Sequence, residues 1–226
     1  MCTDFTNFMS VSKAQLDAFS RFFTPLVSDA MDRLGLECRV LPHSVQSIPF
    51  DPHLKVAGIA FPCRVVPTSE YVEIAKLLEM VDHIPDDAFV VVAADDDTDA
   101  ALWGGLMSTR AKARGARGAV VNGGIRDFEQ IAGLDFPVFG KYRCIKDIRR
   151  RGYMADYNVE VTFEGQVVKP GDIVFGDSNG VLVIPQEHFE TVFAELMKSI
   201  EGEDATAKGL QAGRSARELF EEFETF

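Results

Sequence analysis

The chain has 226 residues, 46% of them apolar, and its 35 acidic against 23 basic side chains give a net charge of −12. That length suits one globular domain over residues 1–226, and the negative balance disfavours nucleic acid or an anionic lipid surface as a partner. No apolar run approaches the roughly 20 residues of a membrane span. The opening MCTDFTNFMS lacks a secretory leader's pattern, and Cys2, Cys38, Cys63 and Cys144 stand apart from one another, so a soluble cytoplasmic protein is expected.

Ser12 and Gln15 have the spacing of a capping box, followed by Leu16, Phe19, Phe22 and Phe23 at helical intervals. Thr24 and Pro25 then read as the cap and first residue of a second helix that ends at Gly35, so helices occupy residues 1–35. Residues 55–66, KVAGIAFPCRVV, read as a strand whose glycine and proline predict an edge position or a bulge. A helix over 70–81 and a buried strand, AFVVVAA, follow. Residues 98–115 have helical period despite Gly104 and Gly105, and the strand GAVV succeeds them. Alternating strands and helices predict a parallel βαβ core. Residues 159–185 carry three β-rich runs broken at Glu164-Gly165, Pro170-Gly171 and Asn179-Gly180, which predict hairpins. From 186 to 226 a helical, acidic tail is expected, with a break at Gly213.

The stretch NGGIRDFEQI, residues 122–131, invites two compatible readings. Asp127 is a favoured N-cap residue, with Gln130 placed to complete a capping box. A glycine turn at the carboxyl end of a strand is also where open α/β sheets bind ligands. There Arg126 can fork a carboxylate and Asp127 can hold a hard cation. Gly104 and Gly105 would cost about 1 kcal/mol each inside a helix. Either they permit close packing, or they mark the true helix start, with the N–H groups of Leu106 and Met107 facing an anion. The four histidines, His43, His53, His83 and His188, are scattered, and no Ser-His-Asp or Cys-His triad is legible.

The segments WGGLMSTRAKARGARGAVVNGGIRD (103–127), FPVF (136–139) and VVKPGDIVFGDSNGVLVIP (167–185) resemble the RraA-like family. Similarity extends from VSDAMDRLG at 27–35 to GRSARELFEEF at 213–223. That family includes the class II 4-hydroxy-4-methyl-2-oxoglutarate/4-carboxy-4-hydroxy-2-oxoadipate aldolases. The resemblance implies a swivelling phosphohistidine-domain-like β/β/α sandwich with N- and C-terminal helices, assembled as a homotrimer or homohexamer with sites at subunit interfaces. It implies a metal-dependent lyase that cleaves small 2-oxo dicarboxylic acids, by retro-aldol cleavage or by decarboxylation of oxaloacetate, through a pyruvate enolate.

Carried over by position, Arg126 binds the substrate carboxylate, Asp127 is the direct ligand to Mg²⁺ or Mn²⁺, and Gly104, Gly105, Leu106 and Met107 present backbone N–H groups. In the tail, EDATAKGLQAG resembles the segment whose glutamate, here Glu203, reaches a neighbouring subunit's site and helps to remove the C4 hydroxyl proton. Two positions depart from the pattern. Some aldolases carry an acid at the place of Gly105, and some carry one three residues after the aspartate, at the place of Gln130. A Schiff-base route is disfavoured, because Lys112, Lys141 and Lys146 lie in polar or basic company. The second reading is a non-catalytic regulator of the RraA type, acting by protein contact, which would not require the Arg126-Asp127 pair.

Overall fold

The computed structural model describes residues 11–95 and 98–223, with the side chains of 199–204 also outside the description. Helix α1 (Lys13–Phe19) begins with the expected reciprocal capping box of Ser12 and Gln15. Helix α2 (Thr24–Arg33) departs slightly from expectation: Phe23 is the N-cap, and Thr24 is already helical. Its cap comes from afar, because buried Asp177 accepts both the Thr24 N–H at 2.7 Å and its hydroxyl at 2.8 Å.

Short strands β1 (Arg39–Val40) and β2 (Gln46–Ser47) precede the long β3 (Lys55–Pro67). Helix α3 (Ala75–His83), β4 (Ala88–Ala94), β5 (Ala101–Trp103) and α4 (Gly105–Ala113) follow. Next come β6 (Gly118–Val121), β7 (Gly124–Ile125), α5 (Phe128–Leu134), β8 (Val138–Gly140) and β9 (Tyr142–Arg143). The predicted hairpin region holds β10 (Gly152–Tyr157), β11 (Val161–Phe163), β12 (Gln166–Val168), β13 (Ile173–Asp177) and β14 (Gly180–Ile184). Helices α6 (Phe189–Gln211) and α7 (Ala216–Phe223) close the chain, broken as expected at Gly213, which has φ +81°.

The main sheet runs β1-β14-β13-β3-β4-β6-β8-β2, with parallel pairing across β3, β4, β6 and β8. Strand β3 is therefore central, which corrects the edge of the two alternatives expected from its glycine and proline, while its pairing with β10 shifts register between Met154 and Asp156. Pro62 is tolerated because it falls where β3 changes partners: β13 pairs with residues up to Ile59, and β10 pairs from Cys63 onward. Its carbonyl accepts the Asn158 N–H at 2.7 Å. Strand β4 is buried along its whole length, as its unbroken apolar run requires. Val90 and Val92 pack with Met80 of α3, Ala111 of α4 and Ile131 of α5. Phe89 and Val91 pack on the other face with Phe139 and the β11–β12 hairpin. A third cluster joins α1, α2 and α6 to β13 and β14 around Phe19, whose ring stands edge-on to Phe175 at 5.2 Å. The architecture is a mixed α/β fold with a large curled sheet.

Strands β5, β7 and β9 form a separate three-stranded parallel sheet. Strands β4, β6 and β8 each leave the large sheet and continue after a short link into β5, β7 and β9 respectively. After β5 and β7 the chain turns directly into α4 and α5. The helix expected over 98–115 is thus corrected: its first part is β5, and the helix proper starts at Gly105.

Candidate functional site

The carboxyl ends of the three small-sheet strands converge on one cavity of about 590 Å³. From β5 come Trp103 and the turn at Gly104, from β7 come Arg126 and Asp127, and beyond β9 come Asp147, Ile148 and Arg149. Helix α3 supplies an apolar wall that includes Leu77, Leu78 and Val81. This is the carboxyl-end location at which parallel sheets gather ligand-binding loops.

Asp127 occupies the N-cap position of α5, but its side chain does not cap that helix, and the expected capping box with Gln130 is absent. Its backbone is left-handed, with φ 61° and ψ 43°, a conformation that aspartate tolerates better than most residues. The carboxylate turns to the neighbouring helix instead: Oδ2 accepts the Gly105 N–H at 3.1 Å and lies 3.5 Å from Arg126 Nε. Asp127 therefore caps α4. Among the described residues its Oδ1 has no partner, and 37% of the side chain is exposed.

Position 104 needs glycine for space, since its φ of −160° is open to any residue. A Cβ there would stand 2.8 Å from Asp127 Oδ2 and 3.2 Å from Arg126 Cγ. A Cβ on Gly105 would overlap Gln130 Oε1 and lie 2.9 Å from Gln130 Cβ. The two departures from the family pattern are thus neighbours, with the Gln130 amide filling the space an acid at 105 would use. Gly105→Ala alone is expected to gain less than the roughly 1 kcal/mol of an ordinary helical glycine replacement. The full gain should appear when Gln130 is alanine too, and thermal melts of the four-member cycle test this, additivity being the adverse outcome.

The helix starts at Gly105, as in the second reading of the glycine pair, while the close approach of Asp127 and Gln130 agrees with the first. The Gly105 N–H is taken by Asp127, whereas the N–H groups of Leu106 and Met107 have no acceptor among the described residues. Buried Trp103 braces the turn by donating from Nε1 to Ser108 Oγ at 2.8 Å, and Ser108 donates to the Gly104 carbonyl at 3.2 Å.

Asp147 was not visible as a site residue in the sequence. It lines the same cavity, with Oδ1 held by the Ile148 N–H at 2.9 Å and 3.5 Å from Arg126 Nη1, and Oδ2 3.2 Å from Arg149 Nη1. The signal available was an aspartate inside KDIRRR, an acid amid five residues of mostly basic character. On the far wall Asp82 accepts from Arg110 Nε at 2.8 Å. A second hollow of about 290 Å³ lies beside Arg126 and Asp127, lined also by Phe128, Arg143, Cys144 and Ile145.

The other expectations divide cleanly. Glu203 falls on α6, but its side chain lies outside the described residues. None of the four histidines lines the cavity. Lys112 bonds the Leu134 carbonyl, Lys141 pairs with Glu164 and Lys146 with Asp99, and none of them lines the cavity either. Burial pushes the Cys63 thiol far up, which leaves it inert as a nucleophile. No group of three or more His, Cys, Asp or Glu among the described residues could enclose a metal. A single outward carboxylate oxygen, with water for the remaining positions, fits Mg²⁺, which keeps several waters when bound to proteins.

The model of the RraA-like family, described as Aldolase/RraA, matches residues 24–183. The chain is 30% identical over 203 residues to the "Putative 4-hydroxy-4-methyl-2-oxoglutarate aldolase" of Halalkalibacterium halodurans, covering 88% of this chain and 91% of that protein. It is 28% identical over 200 residues to protein DlpA of Legionella pneumophila, covering 87% of this chain and 32% of that protein. The chain therefore spans about a third of DlpA's length. A solved structure described as "novel cellulases from microbes associated with the gut ecosystem" superposes with a TM-score of 0.82 at 32% identity, over 89% of this chain and 90% of that one.

Proposed function

The chain belongs to the RraA-like family, Aldolase/RraA, and from that membership and the site we propose a divalent-metal-dependent lyase. It would be a class II pyruvate aldolase and oxaloacetate decarboxylase, cleaving small 2-oxo dicarboxylic acids through a pyruvate enolate. One observation carries this reading. The outward oxygen of Asp127, the Arg126 guanidinium and the unpartnered N–H groups of Leu106 and Met107 meet at one end of the small parallel sheet. The name printed for the Halalkalibacterium relative supports the aldolase class. The cellulase description finds less support: glycosidases set two carboxylates on opposite sides of the scissile bond, whereas Asp127 and Asp147 here flank a single guanidinium.

Cleavage beside a 2-oxo acid leaves negative charge on the pyruvate fragment, and accommodating that charge is the main barrier. Asp127 would hold Mg²⁺ or Mn²⁺, which when bound supplies Lewis acidity to the substrate's keto and carboxylate oxygens. Arg126 forks and orients the carboxylate, so that the breaking bond stays aligned with the carbonyl π system. The α4 start adds two N–H donors and the positive end of a helix dipole. Oxaloacetate losing CO₂ reaches the same enolate, so decarboxylation needs no further residue.

The proposal includes a trimer or hexamer in which Glu203 enters from a neighbouring copy. It draws support from Leu106 and Ile145, which stand 80% and 95% exposed at the rim of the site. It also adopts the phosphohistidine-domain-like description of the fold, supported by the strand-strand-helix order of β4-β5-α4 and β6-β7-α5. No described helix is long and apolar enough to cross a membrane, which is compatible with the proposed cytoplasmic location. The test is pyruvate release from oxaloacetate and from 4-hydroxy-4-methyl-2-oxoglutarate, with Mg²⁺ and with EDTA. Turnover that vanishes with EDTA is expected. Absence of metal-dependent turnover of both compounds would overturn the lyase and leave the regulator.

A further inference from the structure

The retro-aldol reaction needs a group that takes the C4 hydroxyl proton, and the place of Gly105, where the resemblance puts an acid in some aldolases, is closed by Gln130. Among the described residues three carboxylates line the cavity: Asp82, Asp127 and Asp147. Asp82 is tied to Arg110. Asp127 caps α4 through one oxygen and keeps the other for the cation. Asp147 remains. Its side chain is 36% exposed, and its contacts with Arg126 and Arg149, at 3.5 and 3.2 Å, hold it in place without a tight forked pair. The Ile148 N–H fixes Oδ1, which sets the carboxylate's orientation.

Asp147 and Asp127 stand on two different nitrogens of the arginine that would hold the substrate. Asp127 approaches Arg126 at Nε and Asp147 approaches it at Nη1. A 2-oxo acid whose carboxylate rests on Arg126 lies in the cavity that Asp147 also lines, so its C4 hydroxyl can turn to Asp147.

We propose that Asp147 is the proton acceptor of the aldol cleavage, an inference that rests on the lyase reading above. The Asp147 carboxylate takes the hydroxyl proton, and the O–H electron pair becomes the C4 carbonyl π bond. The C3–C4 bond breaks, and its electron pair passes into the C2–C3 enolate. Return of the proton to C3 yields pyruvate and restores the carboxylate. Decarboxylation of oxaloacetate involves no hydroxyl proton and does not use Asp147.

Asp147→Asn keeps an oxygen for the Ile148 N–H and for Arg126 while removing the base. Its cleavage of 4-hydroxy-4-methyl-2-oxoglutarate should fall by about 10² to 10⁴-fold, as for loss of a general base. Oxaloacetate decarboxylation should fall far less, so the ratio of the two activities is the readout. Fluorescence of Trp103, the single tryptophan and part of the cavity wall, should report unchanged binding of oxalate with Mg²⁺. In Asp147→Ala, added formate should restore hydroxy-acid cleavage.

Equal loss of both reactions in Asp147→Asn would make Asp147 a positioning residue for Arg126 and overturn the proposal. So would retention of both, or a selective loss that appears in Glu203→Gln and not in Asp147→Asn. A wild-type protein that decarboxylates oxaloacetate but never cleaves the hydroxy acid would overturn this inference and leave the metal lyase standing. Turnover of neither compound would remove both.

Discussion

Asp127→Asn should lose metal-dependent pyruvate release, by on the order of 10³-fold in kcat/KM, the scale set by removing a principal electrostatic contact of a transition state. It should do so with little change in thermal stability. Asparagine tolerates the left-handed backbone at φ 61°, and its amide oxygen can still accept the Gly105 N–H now bound at 3.1 Å. What it loses is the charge that, in the proposed lyase, would hold a cation. Asp127→Ala should lose the same activity and in addition about 2 kcal/mol of stability. One part is the missing acceptor at the α4 start, and another is the cost of placing alanine in the left-handed region. The pair separates the two duties of one side chain: kinetics at saturating Mg²⁺ report the first and thermal melts the second. Turnover surviving in Asp127→Asn would remove Asp127 as the metal ligand.

The contact of Asp127 with α4 explains what the sequence could and could not disclose. The capping box at Ser12, the buried strand AFVVVAA and the hairpin breaks at Gly165, Gly171 and Gly180 are local signals, and each element formed where its chemistry placed it. The capping motif at Asp127 was equally legible, but it describes contacts within α5. The carboxylate is claimed by α4, a helix 22 residues earlier in the chain, and local spacing carries no record of such a contact. The strand β5 was hidden for a related reason. Ala101, Leu102 and Trp103 fit a helical period with the residues of α4, and only pairing with β7 makes them a strand. Asp147 lay outside every motif because its role depends on β9 running beside β7. Gly105 and Gln130 looked like two separate departures, yet they share one space.

The strongest effect from a change that adds only one carbon should come from Gly104→Ala. The backbone at 104, with φ −160° and ψ −178°, suits alanine, so the unfolded chain loses freedom while the fold acquires no dihedral strain. The cost falls wholly on the site. The new Cβ would stand 2.8 Å from Asp127 Oδ2, closer than a Cβ comes to such an atom, and a tight 3.3 Å from Arg126 Nε. The carboxylate must move, the Gly105 N–H bond must lengthen, and Arg126 must shift with it. A displacement approaching 1 Å in a positioned catalytic group costs about 10²-fold, and kcat/KM toward oxaloacetate should fall by that factor while the melting temperature holds. Gly133→Ala is the matched control, because a Cβ at that α5 position meets nothing within 4 Å. It should gain about 1 kcal/mol from helix propensity and leave turnover unchanged. A Gly104→Ala protein active within about three-fold of wild type, well inside the loss expected from misplacement, would mean that the close approach of the two loops has no part in the chemistry.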